Sequence, residues 1–478
     1  MKLLKKVSLT VLSILAFAFT SFSQSCFPEG IVFNTQAQID SFQIDYPDCT
    51  VIEGNMTIGY YQSNITNING LSNITSIGGN LEFGGNSHLK SLAGLSALTF
   101  LGGDLNIVSV DSLVNLTGLE GLTSTGSLNI WDNYSLLSLT GLNNIDSVHG
   151  SVSIWANNAI NNLSGLNNLE FIEISLNISD NDTLNNLQGV NNVSSIGSVM
   201  IRDNKSLTNL AGLNNLSTVS GQFHIMGNHN LINLSGLESL NTISEILEIW
   251  GNESLQNLSG LNNLTTIGGT LYIGSNYALS NLTGLSSLNS IGGVVQISWN
   301  NNLSSLEGLE NVTSINGGLY IRANNELTSL IGLENIEAAT ISDLHIFENP
   351  SLTHCEVKSV CDYLANPNGL IEIHSNGPGC SSWNEVEAVC IVGVAEEGIP
   401  QSLLNIYPNP SSTQITIEAF MPMNHGLLKI FSLNGHELNQ YQITEPIMVI
   451  DINSYPTGVY FVKFTNENEV RMFKVVKY

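Results

Sequence analysis

Basic side chains are scarce in this sequence. Thirteen Lys and Arg stand against 40 Asp and Glu in 478 residues, a formal net charge of −27 at pH 7. Residues 51–354 hold only Lys90, Arg202, Lys205 and Arg322 against 23 acidic residues. That balance argues against DNA, RNA or an anionic membrane as partner, since each needs clustered Lys and Arg to neutralise phosphates. Charge of either sign is thin, at 11% of residues, while 42% are hydrophobic, so the chain can build a core and an acidic surface serves solubility. Cysteine is absent from residues 51–354. After Thr20 no apolar run is long enough to cross a bilayer. Catalytic signatures are missing too: there is no His-Glu-x-x-His, no Gly-x-Ser-x-Gly, no Walker loop and no Gly-Gly-x-Gly-x-Asp calcium repeat.

What the sequence has in abundance is repetition. Leu-x-Gly-Leu and close variants recur with glycine at 70, 94, 118, 141, 165, 189, 212, 236, 260, 284, 308 and 332, a period of 24 with two intervals of 23. In register with it runs Leu-x-Ile-x-x-Asn, as in Leu128-Asn-Ile130-Trp-Asp-Asn133 and Leu271-Tyr-Ile273-Gly-Ser-Asn276. A fixed period in the twenties predicts a solenoid, in which each unit buries its apolar side only against its neighbours. In Leu-x-Ile two apolar side chains point inward and the middle one outward, so the coils stack as a parallel sheet. The Asn column (Asn86, Asn133, Asn157, Asn181, Asn204, Asn228, Asn252, Asn276, Asn300, Asn324, Asn349) falls where the chain turns off that sheet. Asn tolerates left-handed backbone angles, and its amide can bond neighbouring main chain, so a buried Asn ladder is expected. Beyond the turn, apolar residues come every third position (Leu279, Leu282, Leu285, Leu288, Ile291), a beat that drifts on an α-helix, and each copy carries a helix-weakening glycine. Short extended pieces joined by bends fit, with Gly-Gly pairs such as Gly268-Gly269 turning corners. Right-handed coiling follows from the handedness of parallel crossovers.

The fold class expected is all-β: a right-handed parallel β-solenoid of about 12 coils of 24 residues, then a small immunoglobulin-like β-sandwich. The repeat unit resembles leucine-rich repeats and, more closely, the receptor L domains of insulin-type and epidermal-growth-factor-type receptors. Ile-x-Gly-x-Leu-x-Ile precedes the turn and no α-helical stretch follows. The resemblance covers residues 50–355 and implies a recognition scaffold. The chain departs from those receptors in having more, and more regular, coils and no cysteine-rich modules or membrane span, so hormone binding and signalling do not carry over.

The flanks differ from the array. Residues 1–23 have a basic start (Lys2, Lys5, Lys6), an apolar run and a Ser21-Phe-Ser23 close, the pattern of a signal peptide. An exported chain meets an oxidising environment, and six cysteines bracket the repeats. Of the 15 pairings six cysteines allow, the set expected is Cys26–Cys49, Cys355–Cys380 and Cys361–Cys390, stapling an N-terminal cap at 24–50 and a C-terminal cap at 355–390. The latter opens with one short helix and is similar to the cysteine-rich caps of extracellular leucine-rich repeats. Residues 391–402 read as a linker. From 403 to 478 short alternating strands and turn signals predict a β-sandwich. Its motifs are Tyr407-Pro408-Asn409-Pro410, the Asn434-Gly435 hairpin, Tyr455-Pro456-Thr-Gly458-Val-Tyr and a last strand with Lys474 and Lys477. Their order resembles the C-terminal sorting domain of type IX secretion substrates of the Bacteroidetes. That resemblance implies passage through the periplasm, engagement of the type IX machinery, and release or attachment at the outer surface.

Alternation sends two columns outward. The mid-strand column runs Glu82, Asn106, Asn129, Ser153, Asn177, Met200, His224, Glu248, Tyr272, Gln296, Tyr320, His345. The next runs Trp131, Trp155, Ser179, Arg202, Met226, Trp250, Gly274, Ser298, Arg322, Phe347, with Trp299 one place along. Four of five tryptophans fall on this rim. Exposed aromatic rows mark binding surfaces, since flat rings bury area with little rotamer loss and stack on sugar faces; the bland alternative is that the rings cover the sheet edge or pack on one another. The candidate binding residues are Trp131, Trp155, Arg202, His224, Trp250, Tyr272, Trp299, Tyr320 and Arg322. No catalytic residue, metal or cofactor is assigned, because His224 and Glu248 sit together with no basic group beside them. The expected function is a non-catalytic binding or adhesion protein for a glycan or protein. The rivals are a structural surface or matrix protein and a polysaccharide-degrading β-helix enzyme, whose site would need paired carboxylates on neighbouring coils.

Overall fold

The computed structural model describes residues 24–60, 63–393, 404–419, 426–443, 445, 447–465 and 470–478. The signal peptide expected at 1–23 and positions 394–402 of the expected linker lie outside them. Backbone contacts divide the chain into two compact units, Met1–Ile174 and Ser175–Tyr478.

In the first unit six short strands pair in parallel, in chain order: Ile31–Phe33, Met56–Ile58, Leu81–Gly84, Leu105–Val108, Leu128–Trp131 and Val152–Trp155. The register sets Leu105 beside Leu128 and Leu128 beside Val152, so inward residues superpose coil on coil. The N-terminal cap contributes the first rung, Ile31–Phe33, and carries helix α1 (Gln36–Asp45). Thr35 and Gln38 form a capping box at its start, and Ile39 and Phe42 are buried.

The second unit repeats the arrangement with nine strands: Ser175–Ser179, Ser198–Arg202, Phe223–Met226, Leu247–Trp250, Leu271–Gly274, Val295–Ser298, Gly317–Arg322, Ile341–Phe347 and Ile371–His374. All pair in parallel and in chain order. A second ladder of two-residue strands, Ser195–Ile196 to Ser314–Ile315, forms another side of the coil. The three-residue beat fills the interior, with Leu279, Leu282, Leu285 and Leu288 all fully buried. Each such side chain contributes about 1.5–3 kcal/mol of transfer free energy. In place of helix there are bends and occasional single 3-10 turns such as Thr283–Leu285.

Two columns lock the coils. At Leu-x-Gly-Leu most glycines take positive φ, +114° at Gly260, and a Cβ there would stand 2.0 Å from the Leu234 carbonyl oxygen of the coil before. Only glycine fits. The Asn side chains are buried, and within each unit they bridge to the preceding coil. Asn252 Nδ2 donates to the Ile225 carbonyl (2.8 Å), while its Oδ1 accepts from the Asn228 main-chain N–H (3.0 Å). The column continues into the C-terminal cap, where Asn376 Oδ1 accepts from the Asn349 N–H. In one respect the expectation was off. The left-handed residue is the one before each Asn, such as Ser275 (φ 54°), Trp299 (57°) and Ala323 (53°). The Asn is needed for its amide, which satisfies two buried main-chain groups at once.

The three disulfides pair Cys26 with Cys49, Cys355 with Cys380 and Cys361 with Cys390. The last joins helix α2 (Lys358–Ala365) to helix α3 (Trp383–Gly393). Helix α3 is an addition to the single cap helix expected. It runs through 391–393, the first positions of the expected linker, because Glu385 N–H is capped by Ser382 Oγ and nothing before Gly393 breaks the helix.

The C-terminal segment holds two antiparallel sheets. One is Leu404–Tyr407, Gln414–Ala419 and Ile447–Asp451; the other is Glu437–Gln442, Leu427–Ser432, Gly458–Thr465 and Val470–Lys477. Their inner faces share a core of Ile415, Ile417, Leu428, Ile430, Ile450, Val462 and Phe464. Gly435 turns the hairpin at φ +77°. Asn409 ties the opening motif to the closing strand: its Nδ2 donates to the Lys474 carbonyl (2.6 Å) and its Oδ1 accepts from Val476 N–H (2.8 Å).

Candidate binding face of the solenoid

Because register is kept, outward positions form columns in fact as well as in pattern. In the second unit His224, Glu248, Tyr272, Gln296, Tyr320, His345 and Glu372 stand side by side on successive strands. Beside them run Arg202, Met226, Trp250, Gly274, Ser298, Arg322, Phe347 and His374.

Four of the sequence-derived candidates meet here. Trp250 stacks on Tyr272 (ring centres 5.0 Å apart, 23° between planes) and meets Trp299 edge-on (5.5 Å, 85°). Arg322 places its guanidinium 3.9 Å from the centre of the Trp299 ring and 5.9 Å from that of Phe347. Gly274 makes this possible, since a Cβ there would lie 2.1 Å from the Trp250 ring. Burial raises the pKa of the Tyr272 hydroxyl and nearby Glu248 pushes the same way, against a hydrogen bond to Ser298 and the charge of Arg322. The rings are half-buried, each covered in part by its neighbours.

The other candidates fall elsewhere. Trp131 and Trp155, in the first unit, pack on each other at 5.6 Å, and Trp155 is the more exposed of the two. Arg202 leaves the aromatic cluster for Asp203, 2.7 Å away. His224 is held between Glu248 (2.6 Å) and Gln222 (2.9 Å). Tyr320 stacks on His345 (4.5 Å, 17°). Two participants were not among the candidates. His374 stacks on Phe347, and Glu372 accepts from or faces both His345 (2.8 Å) and His374 (3.2 Å). These bonds, His345 first, hold the Glu372 carboxyl below its ordinary value. Both residues lie in the C-terminal cap, where the Leu-x-Ile spelling becomes Ile371-Glu-Ile373-His374, and that spelling was the available signal. Among the described residues no group of three or more His, Cys, Asp or Glu is arranged to hold a metal ion.

Residues 48–141 match the Receptor L domain family, and residues 405–478 match the Secretion system C-terminal sorting domain. The chain is an L-domain-like solenoid with a type IX sorting tail. Among curated proteins none matches it. The tail directs export to the cell surface or beyond and implies contact with the secretion machinery. No helix among the described residues is long and apolar enough to cross a membrane. An L-domain array of this kind suits a binding or a structural role.

Proposed function

We propose that this exported L-domain array is a non-catalytic binding protein whose ligand, a glycan or an extracellular protein, seats on the face built by Trp250, Tyr272, Trp299 and Arg322. The observation that carries the reading is the backbone at Trp299. In other coils this left-handed position is filled by Gly, Ser, Ala, Asp or, once, Glu, as at Gly227, Gly251, Ser275, Ala323 and Glu348, and Trp299 is the aromatic residue among them. A bulky aromatic side chain there costs free energy that a small residue would spare, and residues kept against such a cost mark functional sites. Hydrolysis finds little support on this face, since His224 and Glu248 are engaged with each other and Gln222.

The test is to probe the purified protein against immobilised polysaccharides and extracellular proteins beside two variants, Trp250→Ala and Trp131→Ala/Trp155→Ala. Retention is expected for wild type and the double variant and loss for Trp250→Ala. Equal retention by Trp250→Ala removes the face as the site, and turnover of any polysaccharide removes the non-catalytic reading.

A further inference from the structure

We infer that the ligand of this face is a saccharide bearing an isolated carboxylate or sulfate, and that Arg322 is the residue that reads that anion. The inference rests on the binding face proposed above and adds the chemical class.

The first ground is the company Arg322 keeps. Two of the four basic residues in the array do meet a carboxylate: Arg202 sits 2.7 Å from Asp203, and Lys205 sits 2.9 Å from Asp182. Among the described residues Arg322 has no carboxylate within bridging distance, and its Nε, out of solvent contact, has no hydrogen-bond partner. The guanidinium is instead fixed in place by Trp299 and Phe347. A planar donor fork held by rings and left without an acceptor is prepared for an incoming oxyanion, and a buried donor without a partner is costly until one arrives. Carboxylate and sulfate share the oxygen geometry that the fork takes in a bidentate manner.

The second ground is what lies between cation and ring. Trp250, Gly274, Ser298 and Arg322 occupy the same position on four successive strands. Strand spacing puts the two ends about 14 Å apart. The floor between them is a glycine and a serine, with Tyr272 alongside and Trp299 bridging. A pyranose can lay its apolar face on indole, turn a hydroxyl to Tyr272, and carry its acid to Arg322. A protein side chain offers no such combination within one rigid unit. The net charge of −27 sets the other limit, because it repels a densely charged chain and selects a ligand with one anion at the contact.

The experiment uses the full-length exported protein and matched oligosaccharides ending in glucose, glucuronic acid or galactose 6-sulfate. Wild type is expected to bind at least one acid-ended probe at least about tenfold tighter than the neutral one, the size of a charge-assisted bidentate contact. Which acid wins tells carboxylate from sulfate. Arg322→Gln is expected to bring acidic and neutral probes to within about twofold of each other. The acid preference is also expected to shrink when salt is raised from about 0.05 to 0.5 M. An acid preference that survives Arg322→Gln, or a wild type without one, overturns the assignment. Should Arg322→Gln fail to fold by circular dichroism, the salt series and Arg322→Lys decide: a preference untouched by both overturns the inference. Loss of all probes in Trp250→Ala with no effect at Arg322 sinks the anion reader and keeps the face. Full binding by Trp250→Ala sinks the face itself.

Discussion

Arg322 sits over Trp299, its guanidinium carbon 3.9 Å from the centre of the indole ring, with Trp299 at φ +57°. The two belong to adjacent coils, and the contact exists because one coil accepts a strained backbone to present its ring. Replacing Trp299 with glycine relieves a left-handed cost of about 1–3 kcal/mol and gives up a cation–π contact of about 0.5–2 kcal/mol. Urea unfolding of Trp299→Gly is therefore expected to lie between about 1 kcal/mol below and about 2.5 kcal/mol above wild type, while retention on the captured ligand drops. A stability loss of several kcal/mol would make Trp299 a structural residue.

The Asn column is a different case, because its residues serve the fold alone. Asn252→Leu strands the Ile225 carbonyl and the Asn228 N–H in the interior. Two buried groups without partners, at about 1–3 kcal/mol each, predict a loss of about 2–6 kcal/mol. Amide exchange should speed up first in the coils around 225–252.

Cross-linking of α2 to α3 by Cys361–Cys390 closes a loop with a sequence separation of 29. A loop of that length limits the unfolded chain by about 3–4 kcal/mol. The Cys361→Ser/Cys390→Ser protein is expected to lose protection in the C-terminal cap on limited proteolysis while the coils near 128–155 stay intact. Uniform digestion would contradict it.

In the tail, Asn409 stands in for a strand partner by bonding Lys474 O and Val476 N–H. Asn409→Ala removes both bonds from the edge strand. Less exported protein and more retained in the periplasm are expected, in the direction of a deletion of 405–478. Normal export would detach this contact from sorting.

Glu372 supplies the pH dependence. Its carboxyl is depressed below 4.5 by His345 and His374, so the folded state favours the ionised form. The sign follows: the contribution is present above the ordinary carboxylate value and is lost as pH falls through the lowered one. Wild type and Glu372→Gln are expected to differ in melting temperature at pH 6 and to converge below the carboxylate range. A difference that persists at the lowest pH would point to packing instead.

Much of this was legible in the sequence because a repeat states each rule a dozen times. Leu-x-Ile fixed strand, face and register together, and the pairing expected among the 15 that six cysteines allow is the one found. What escaped was local and unrepeated. Thr35-Gln-Ala-Gln38 and Ser382-Trp-Asn-Glu385 are helix-start signatures that occur once each, inside caps that periodicity does not reach. The left-handed site was assigned one residue late, since Asn is the conspicuous residue and the position before it varies in identity. On the binding face, pattern placed Trp250, Tyr272 and Arg322 in columns, but alternation carries no information on side-chain lean. Gly274 decides that Trp250 can lie across the column, and the sequence shows Gly274 only as a gap. Arg202 had the same column position as Arg322 and went to Asp203, because its column neighbours are Ser179 and Met226 rather than rings and a carboxylate is next to it in the chain.

The most direct measurement is oxidative footprinting of the tryptophans with and without the captured ligand, read by mass spectrometry. Ligand is expected to protect Trp250 and Trp299 and to leave Trp383, exposed on α3, oxidised at its free rate. Equal oxidation of Trp250 and Trp299 in both states would contradict that expectation.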